Sequence, residues 1–239
     1  DLQVVLGTRS SRPQIYDAST GAFVAELGGC HDGEINGVDW RPDGKQIASA
    51  GGAAASPGAK PEWCIWDAAS HEQLHKETAS DTYAVNDIAF SFDGKSYAVV
   101  TDEFFSVYDV ASHASGQYVD FTGSLEEPWT LDGVDWSPDN KRLLIWTFTE
   151  FFMIDLESGE IGGGYIPEGI TEGTWSPSGL KFAFSVANGR VRVIDRLSGA
   201  LELEFAAHDV ATTIDWSFHE QYIATGGEVP RIAVWQLDY

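Results

Sequence analysis

Three short stretches of the chain set a glutamate directly before an aromatic ring: Glu62-Trp63, Glu103-Phe104 and Glu150-Phe151. A ring face beside a carboxylate attracts a cation, through the ring quadrupole and through the carboxylate charge. The competing role for each ring is packing between structural layers. Trp129 is a fourth ring of this kind, in Leu-Glu-Glu-Pro-Trp with Glu126 and Glu127. A loop Trp beside Pro is hard to bury. Other chemistry is thin. His71, His75, His113 and His219 are scattered over turns and outer strands, with no metal-ligand spacing. There is no Gly-x-Ser-x-Gly turn to raise a nucleophile and no glycine loop to cradle a phosphate. Gly162-Gly163-Gly164 reads as a bulged strand edge. No residue set points to a cofactor, a metal or a catalytic centre.

Something must position those pairs, and the chain repeats itself to do so. Val-Asp-Trp-Arg-Pro-Asp-Gly begins at Val38 and Val-Asp-Trp-Ser-Pro-Asp-Asn at Val134. Variants begin at Ile88, Gly173 and Ile214. Each unit ends on an apolar run closed by Asp, as at Ile65-Trp66-Asp67, Val107-Tyr108-Asp109, Met153-Ile154-Asp155 and Val193-Ile194-Asp195. Ile15-Tyr16-Asp17 opens the series and Val234-Trp235-Gln236 closes it. Positions 66, 108, 154, 194 and 235 are 42, 46, 40 and 41 residues apart. The first interval, from Tyr16 to Trp66, is 50, because Gly51 to Pro61 is an insertion rich in Ala, Gly and Pro.

Within each unit, β-branched and aromatic runs alternate with turn residues, so the units read as four short strands each. In the third unit these are 85–90, 97–101, 105–108 and 117–121. Pro-Asp-Gly, Phe-Asp-Gly and Pro-Ser-Gly mark tight turns after the first strand of a unit, where Gly or Asn supplies positive φ. Ser-Thr-Gly at 19–21, Glu-Ser-Gly at 157–159 and Leu-Ser-Gly at 197–199 mark turns after the third. No segment has a sustained helical period, and almost no helix is expected.

A period of roughly 40–45 residues with this dipeptide resembles the WD40 repeat, over the whole chain. The resemblance implies an all-β propeller with about 22 strands in five to six blades. The units are 1–27 (partial), 28–77, 78–121, 122–164, 165–205 and 206–239 (partial), in one propeller region covering 1–239. Residues 1–27 lack an inner strand and 211–236 lack an outer one, so the ring reads as incomplete. The expectation is a piece of a longer protein, with about 20 further residues closing six blades or about 60 closing seven. Another chain or a neighbouring domain is the alternative filler of that gap, since open sheet edges invite aggregation.

The resemblance also implies a hydrogen-bond staple inside a blade: a His before the inner strand, a Ser or Thr on the second strand, an Asp and the dipeptide Trp. His31, Ser49 and Trp66 fit in the second unit, and His208, Thr225 and Trp235 in the last. The Asp member is missing from both, and the middle units lack His and Trp, leaving apolar packing to hold them.

The net charge of −23, from 37 acidic and 14 basic residues, disfavours nucleic acid and anionic membranes. No apolar run reaches the roughly 18 residues of a membrane span. The acidity reads either as a solvated surface in salt-rich surroundings or as a patch for a basic partner. In WD40 rings, loops before the inner strand share one rim with the turns between strands two and three. That rim would carry Asp32, Glu34, Asp81, Glu126, Glu127, Glu168, Glu172 and Asp209, with Glu62, Asp102, Glu103, Glu150 and Glu228. The opposite rim would hold Arg41, Lys45, Lys95, Lys141, Arg142, Lys181 and Arg196. The expected partner surface therefore comprises Glu62, Trp63, Asp81, Glu103, Phe104, Glu126, Glu127, Trp129, Glu150, Phe151 and Asp209.

The expected function is a protein-interaction scaffold for a basic or aromatic-bearing peptide or a partner subunit on that rim. Alternatives are a structural or sensor domain of a larger chain, touching its other domains through blade edges and termini, or a channel-centred enzyme of the kind some propellers are. Cys30 and Cys64 make no disulfide framework; Cys64 reads as a small buried strand residue. A reducing, cytoplasmic setting follows.

Overall fold

The computed structural model describes residues 2–52, 58–80, 84–120, 130–208, 211–227 and 232–237. Every regular element among them is a β-strand, and there are 22, in six antiparallel up-and-down sheets that are the blades of a β-propeller. The chain divides into two compact units, Asp1–Asp132 and Gly133–Tyr239.

The first unit holds three blades. Blade one is β1 (Gln3–Leu6), β2 (Gln14–Asp17) and β3 (Phe23–Glu26). Blade two is β4 (Ile35–Trp40), β5 (Gln46–Gly51), β6 (Glu62–Asp67) and β7 (Gln73–Thr78). Blade three is β8 (Val85–Phe90), β9 (Ser96–Thr101), β10 (Phe104–Asp109) and β11 (Ser115–Asp120). The second unit holds the other three. They are β12 (Gly133–Trp136) to β15 (Ile161–Tyr165), β16 (Ile170–Trp175) to β19 (Leu201–Ala206), and β20 (Ala211–Trp216) to β22 (Ile232–Gln236). Strands pair in sequence order within each blade, so every connection is local.

The second strands are the most deeply buried. Ile47–Gly51, Tyr97–Thr101 and Phe182–Val186 are buried along their length. Their sequences are accordingly continuous apolar runs rather than alternating ones. Between blades two and three the packing joins Ile65, Trp63 and Ala48 to Ile88, Phe90 and Tyr97. Between blades four and five it joins Trp146 and Phe151 to Trp175, Phe182 and Phe184.

Turn chemistry follows the repeat. Gly44, Gly94, Asn140 and Gly179 adopt positive φ after the inner strands, and Glu220 takes the same position at φ 56° in the last blade. After the third strands, Gly21, Gly159 and Gly199 alternate with His71 and His113 at the equivalent site, also at positive φ. In blades two to five the Asp closing the third strand caps that turn. Asp67 Oδ1 accepts from the backbone of Ala69 and Ser70, and Asp109, Asp155 and Asp195 do likewise. The hydroxyls of Ser19 and Thr20 and the backbone of Thr20 hold Asp17 down to about 2.

The Asp of Val-Asp-Trp has a different role, which the sequence left unassigned. Asp39 Oδ2 in blade two accepts from the backbone N–H of Phe90 in blade three, at 2.7 Å. Asp135 Oδ2 in blade four accepts from the backbone of Trp175 at 2.8 Å and from Thr174 Oγ1 at 3.1 Å in blade five. The middle blades are therefore tied by polar staples as well as by apolar packing, which corrects the expectation of packing alone. Inner strands must approach closely for this contact. A Cβ at Gly37 would lie 2.4 Å from Asp87 Oδ1, so only glycine fits there.

The cysteines also differ from expectation. Cys30 and Cys64 form a disulfide, with Cα atoms 6.5 Å apart. The 34-residue separation hid the pairing; the loop before β4 folds back over β6 and brings the sulfurs together. In a chain-entropy treatment a bridge closing such a loop contributes roughly 3–4 kcal/mol by restricting the unfolded chain.

Burial between blades raises the Asp135 carboxyl from 3.8 to about 6, against hydrogen bonds that lower it. Its fold-derived stability is thus fully present below about pH 4 and is lost as pH rises through about 6. Asp135→Asn keeps an acceptor and removes the titration. The wild-type melting temperature, measured against that variant, should fall between pH 4 and pH 6. Asp135→Ala strands the buried Trp175 N–H and should cost about 1–3 kcal/mol in denaturant unfolding.

Candidate functional site

The residues expected at a partner surface separate into three groups. Asp81, Glu126, Glu127, Trp129 and Asp209 lie outside the described residues. Glu62, Trp63 and Phe151 are buried, at 2%, 2% and 8% exposure. Glu103 is exposed, and Phe104 and Glu150 are half-buried.

Counting back from the Asp that closes the third strand explains the split. The residue four before it is Trp63, Phe105 or Phe151, and all three are core. The residue five before it is Glu62, Phe104 or Glu150. The Glu-aromatic pair of blade three is therefore one register step out from the other two, and it alone turns its aromatic ring outward. Alternation along the strand makes that single step decisive.

Glu62 is withdrawn from the surface by a lysine on the next strand. Lys76 Nζ lies 2.9 Å from Glu62 Oε1 and also donates to the carbonyl of Cys30. Thr78 Oγ1 donates to the same carboxylate oxygen at 3.4 Å. Cross-strand pairing of β6 with β7 sets this contact, and nothing local in the sequence announces it. One other acid expected on that rim, Glu168, is matched as well. Glu168 receives both Nη groups of Arg192, at 2.9 and 2.8 Å, and Glu204 bridges Arg190 and Arg192. On the side expected to be basic, Arg41 and Lys45 meet Asp43, Lys95 meets Asp93 and Arg142 meets Asp139. The segregation of charge is weaker than the sequence implied.

What the fold does bring together is a groove of about 580 Å³ between blades two and three, inside the first unit. Trp63 forms its floor from β6, Glu77 flanks it from β7, Phe104 and Tyr108 come from β10, and Tyr118 from β11. Glu103 stands at its mouth in the turn before β10. The rings pack on one another: Trp63 and Tyr108 at 5.3 Å, Phe104 and Tyr118 at 5.2 Å, Tyr97 and Tyr108 stacked at 5.1 Å. Tyr118 remains 54% exposed. Two carboxylates line the groove and no Lys or Arg does, among the described residues. Sequence inspection picked out Trp63, Glu103 and Phe104 here but missed Glu77, Tyr108 and Tyr118, which come from strands read as packing or edge.

The two hydrogen-bonded trios lie elsewhere, one buried and one half-buried. His31 Nε2 is 2.7 Å from Ser49 Oγ, and Trp66 Nε1 donates to that hydroxyl at 2.9 Å. In blade six, Thr225 Oγ1 is 2.9 Å from His208 Nε2 and accepts from Trp235 Nε1 at 2.9 Å. In each trio the hydroxyl sits between imidazole and indole, satisfying polar groups that burial would otherwise strand. Burial, then the nearby Lys76 charge, pushes the His31 imidazole down to about 4.

Residues 21–53 match the family model described as WD domain, G-beta repeat. That span includes His31 and Ser49 and runs from β3 through β5. A comparison with curated proteins returns no match.

Ser49→Ala removes the shared hydroxyl and leaves both the Trp66 N–H and the His31 ring nitrogen unpaired. The variant should be less stable by about 1–3 kcal/mol in denaturant unfolding, while Ser49→Thr should retain most of the stability.

Proposed function

The chain is a WD40-repeat β-propeller, WD40 propellers are in general non-enzymatic scaffolds that bind proteins, and from that premise we propose that this one binds a basic segment of a partner protein at the groove beside Glu103 and Phe104. The observation that carries the reading is the pairing of aromatic walls with two carboxylates, Glu77 and Glu103, and, among the described residues, no lining Lys or Arg. A Lys or Arg side chain entering there meets exposed ring surface on Tyr118 and two negative charges. Aromatic and charge attraction of this kind contributes about 0.5–2 kcal/mol per contact, more as water is excluded.

The long-range field favours the same partner. A chain of net charge −23 draws basic segments and speeds their encounter at low salt. The acidic rim as a whole supports this less than the groove, because Glu62 and Glu168 are already paired with Lys76 and Arg192. The competing reading, a structural domain that touches its neighbours through blade edges and termini, makes no use of this groove.

The two readings part in a pull-down with the chain and with the double variant Glu103→Lys, Phe104→Ala as baits. The proposal expects a basic partner retained by the first in low salt, released as salt rises and lost from the second. Identical partners on both baits would sink the groove as the recognition surface and favour the edges.

A further inference from the structure

Beneath the groove wall lies a cluster of soft ligands that partner binding does not use. Cys30 in the loop before β4, His31 beside it and Cys64 in the middle of β6 bring their ligand atoms within 4.8 Å of one another. All three are at least nine-tenths buried, at 2%, 5% and 0% exposure. The two sulfurs are joined as a disulfide, which alone would make the cluster a simple cross-link. The histidine argues for more. Its Nδ1 is buried without a hydrogen-bond partner, and only Nε2 is engaged, with Ser49. Ser49 is itself held by the Trp66 indole. An imidazole with one nitrogen oriented by a fixed neighbour and the other unpaired is how proteins hold a metal-binding histidine. Lys76, the cation that acts on this ring, is itself paired with Glu62 at 2.9 Å.

We propose that the dithiol form of this chain holds one thiophilic metal ion of the zinc class on Cys30 Sγ, Cys64 Sγ and a ring nitrogen of His31, and that closing the disulfide expels it. Two thiolates and an imidazole are the soft donor set such an ion selects. Expulsion balances as thiol–disulfide exchange. One cysteine thiolate attacks an external disulfide and the second resolves the mixed species. The external S–S bond breaks, the Cys30–Cys64 bond forms, the oxidant leaves as two thiolates that take protons from solvent, and the ion leaves with its charge. Where the surroundings keep thiols reduced, the dithiol is the working form.

The test titrates zinc(II) into the full chain against a chromophoric chelator, once as the disulfide and once after anaerobic reduction with a phosphine. Cobalt(II) in a parallel series reports thiolate ligation through its charge-transfer band. The reduced chain should take up one equivalent with that band, and the oxidised chain should not, although both carry the same 37 surface and buried acids. Cys64→Ser should abolish the band, and His31→Gln should weaken uptake roughly tenfold or more. Equal uptake by both redox forms would overturn the site. So would uptake that accompanies loss of the β-sheet circular dichroism, because the ion would then be binding unfolded chain. Should the variants not fold, the comparison of the two wild-type redox forms still decides.

Discussion

Inner strands of neighbouring blades must lie close together, and the structure satisfies the polar groups in that crowded seam with one carboxylate. Asp39 and Asp135 each reach across to a backbone N–H in the next blade, at Phe90 and Trp175. A backbone donor buried there without a partner would cost more than the hydrogen bond itself returns. The same closeness demands glycine at Gly37, where any side chain would collide with Asp87. Side-chain amides repeat the device: Asn36 donates to the carbonyls of Gly52 and Val85, and Asn86 to that of Leu131. The apolar wedge of aromatic and β-branched residues fills the rest of the seam.

That seam also shapes the groove. Because β6 and β10 come from adjacent blades, Trp63 and Tyr108 pack ring to ring, and the space outside them is left for Phe104, Tyr118 and two carboxylates. His75 and His113 stack at 4.0 Å on the same side. Burial, and then the neighbouring imidazole, lowers the affinity of His113 for a proton. The groove thus carries negative charge at its rim and neutral rings within, the electrostatic form that suits an incoming cation.

A second consequence runs through Lys76. Its ammonium is set against Glu62 and reaches the Cys30 carbonyl at the same time. One ammonium therefore anchors the loop that brings Cys30 to Cys64, buries a glutamate, and lowers the proton affinity of His31. The groove and the cysteine–histidine cluster share β6 and β7 as a common wall.

The sequence by itself determined the architecture. Turn residues and apolar runs are local signals, and repetition multiplied them, so the 22 strands, their grouping as three, four times four and three, and the positive-φ turns at Gly44, Gly94, Asn140 and Gly179 were legible. Only the tertiary structure decided which acids are buried and which stay exposed. Glu62 and Glu103 look alike in sequence, yet one is buried on Lys76 and the other stands in solvent, because cross-strand register and a one-residue offset are set by pairing partners rather than by neighbours in the chain. The same reason hid the Cys30–Cys64 bridge and the blade-to-blade reach of Asp39 and Asp135: each joins residues 34 to 51 positions apart, a separation no local pattern records.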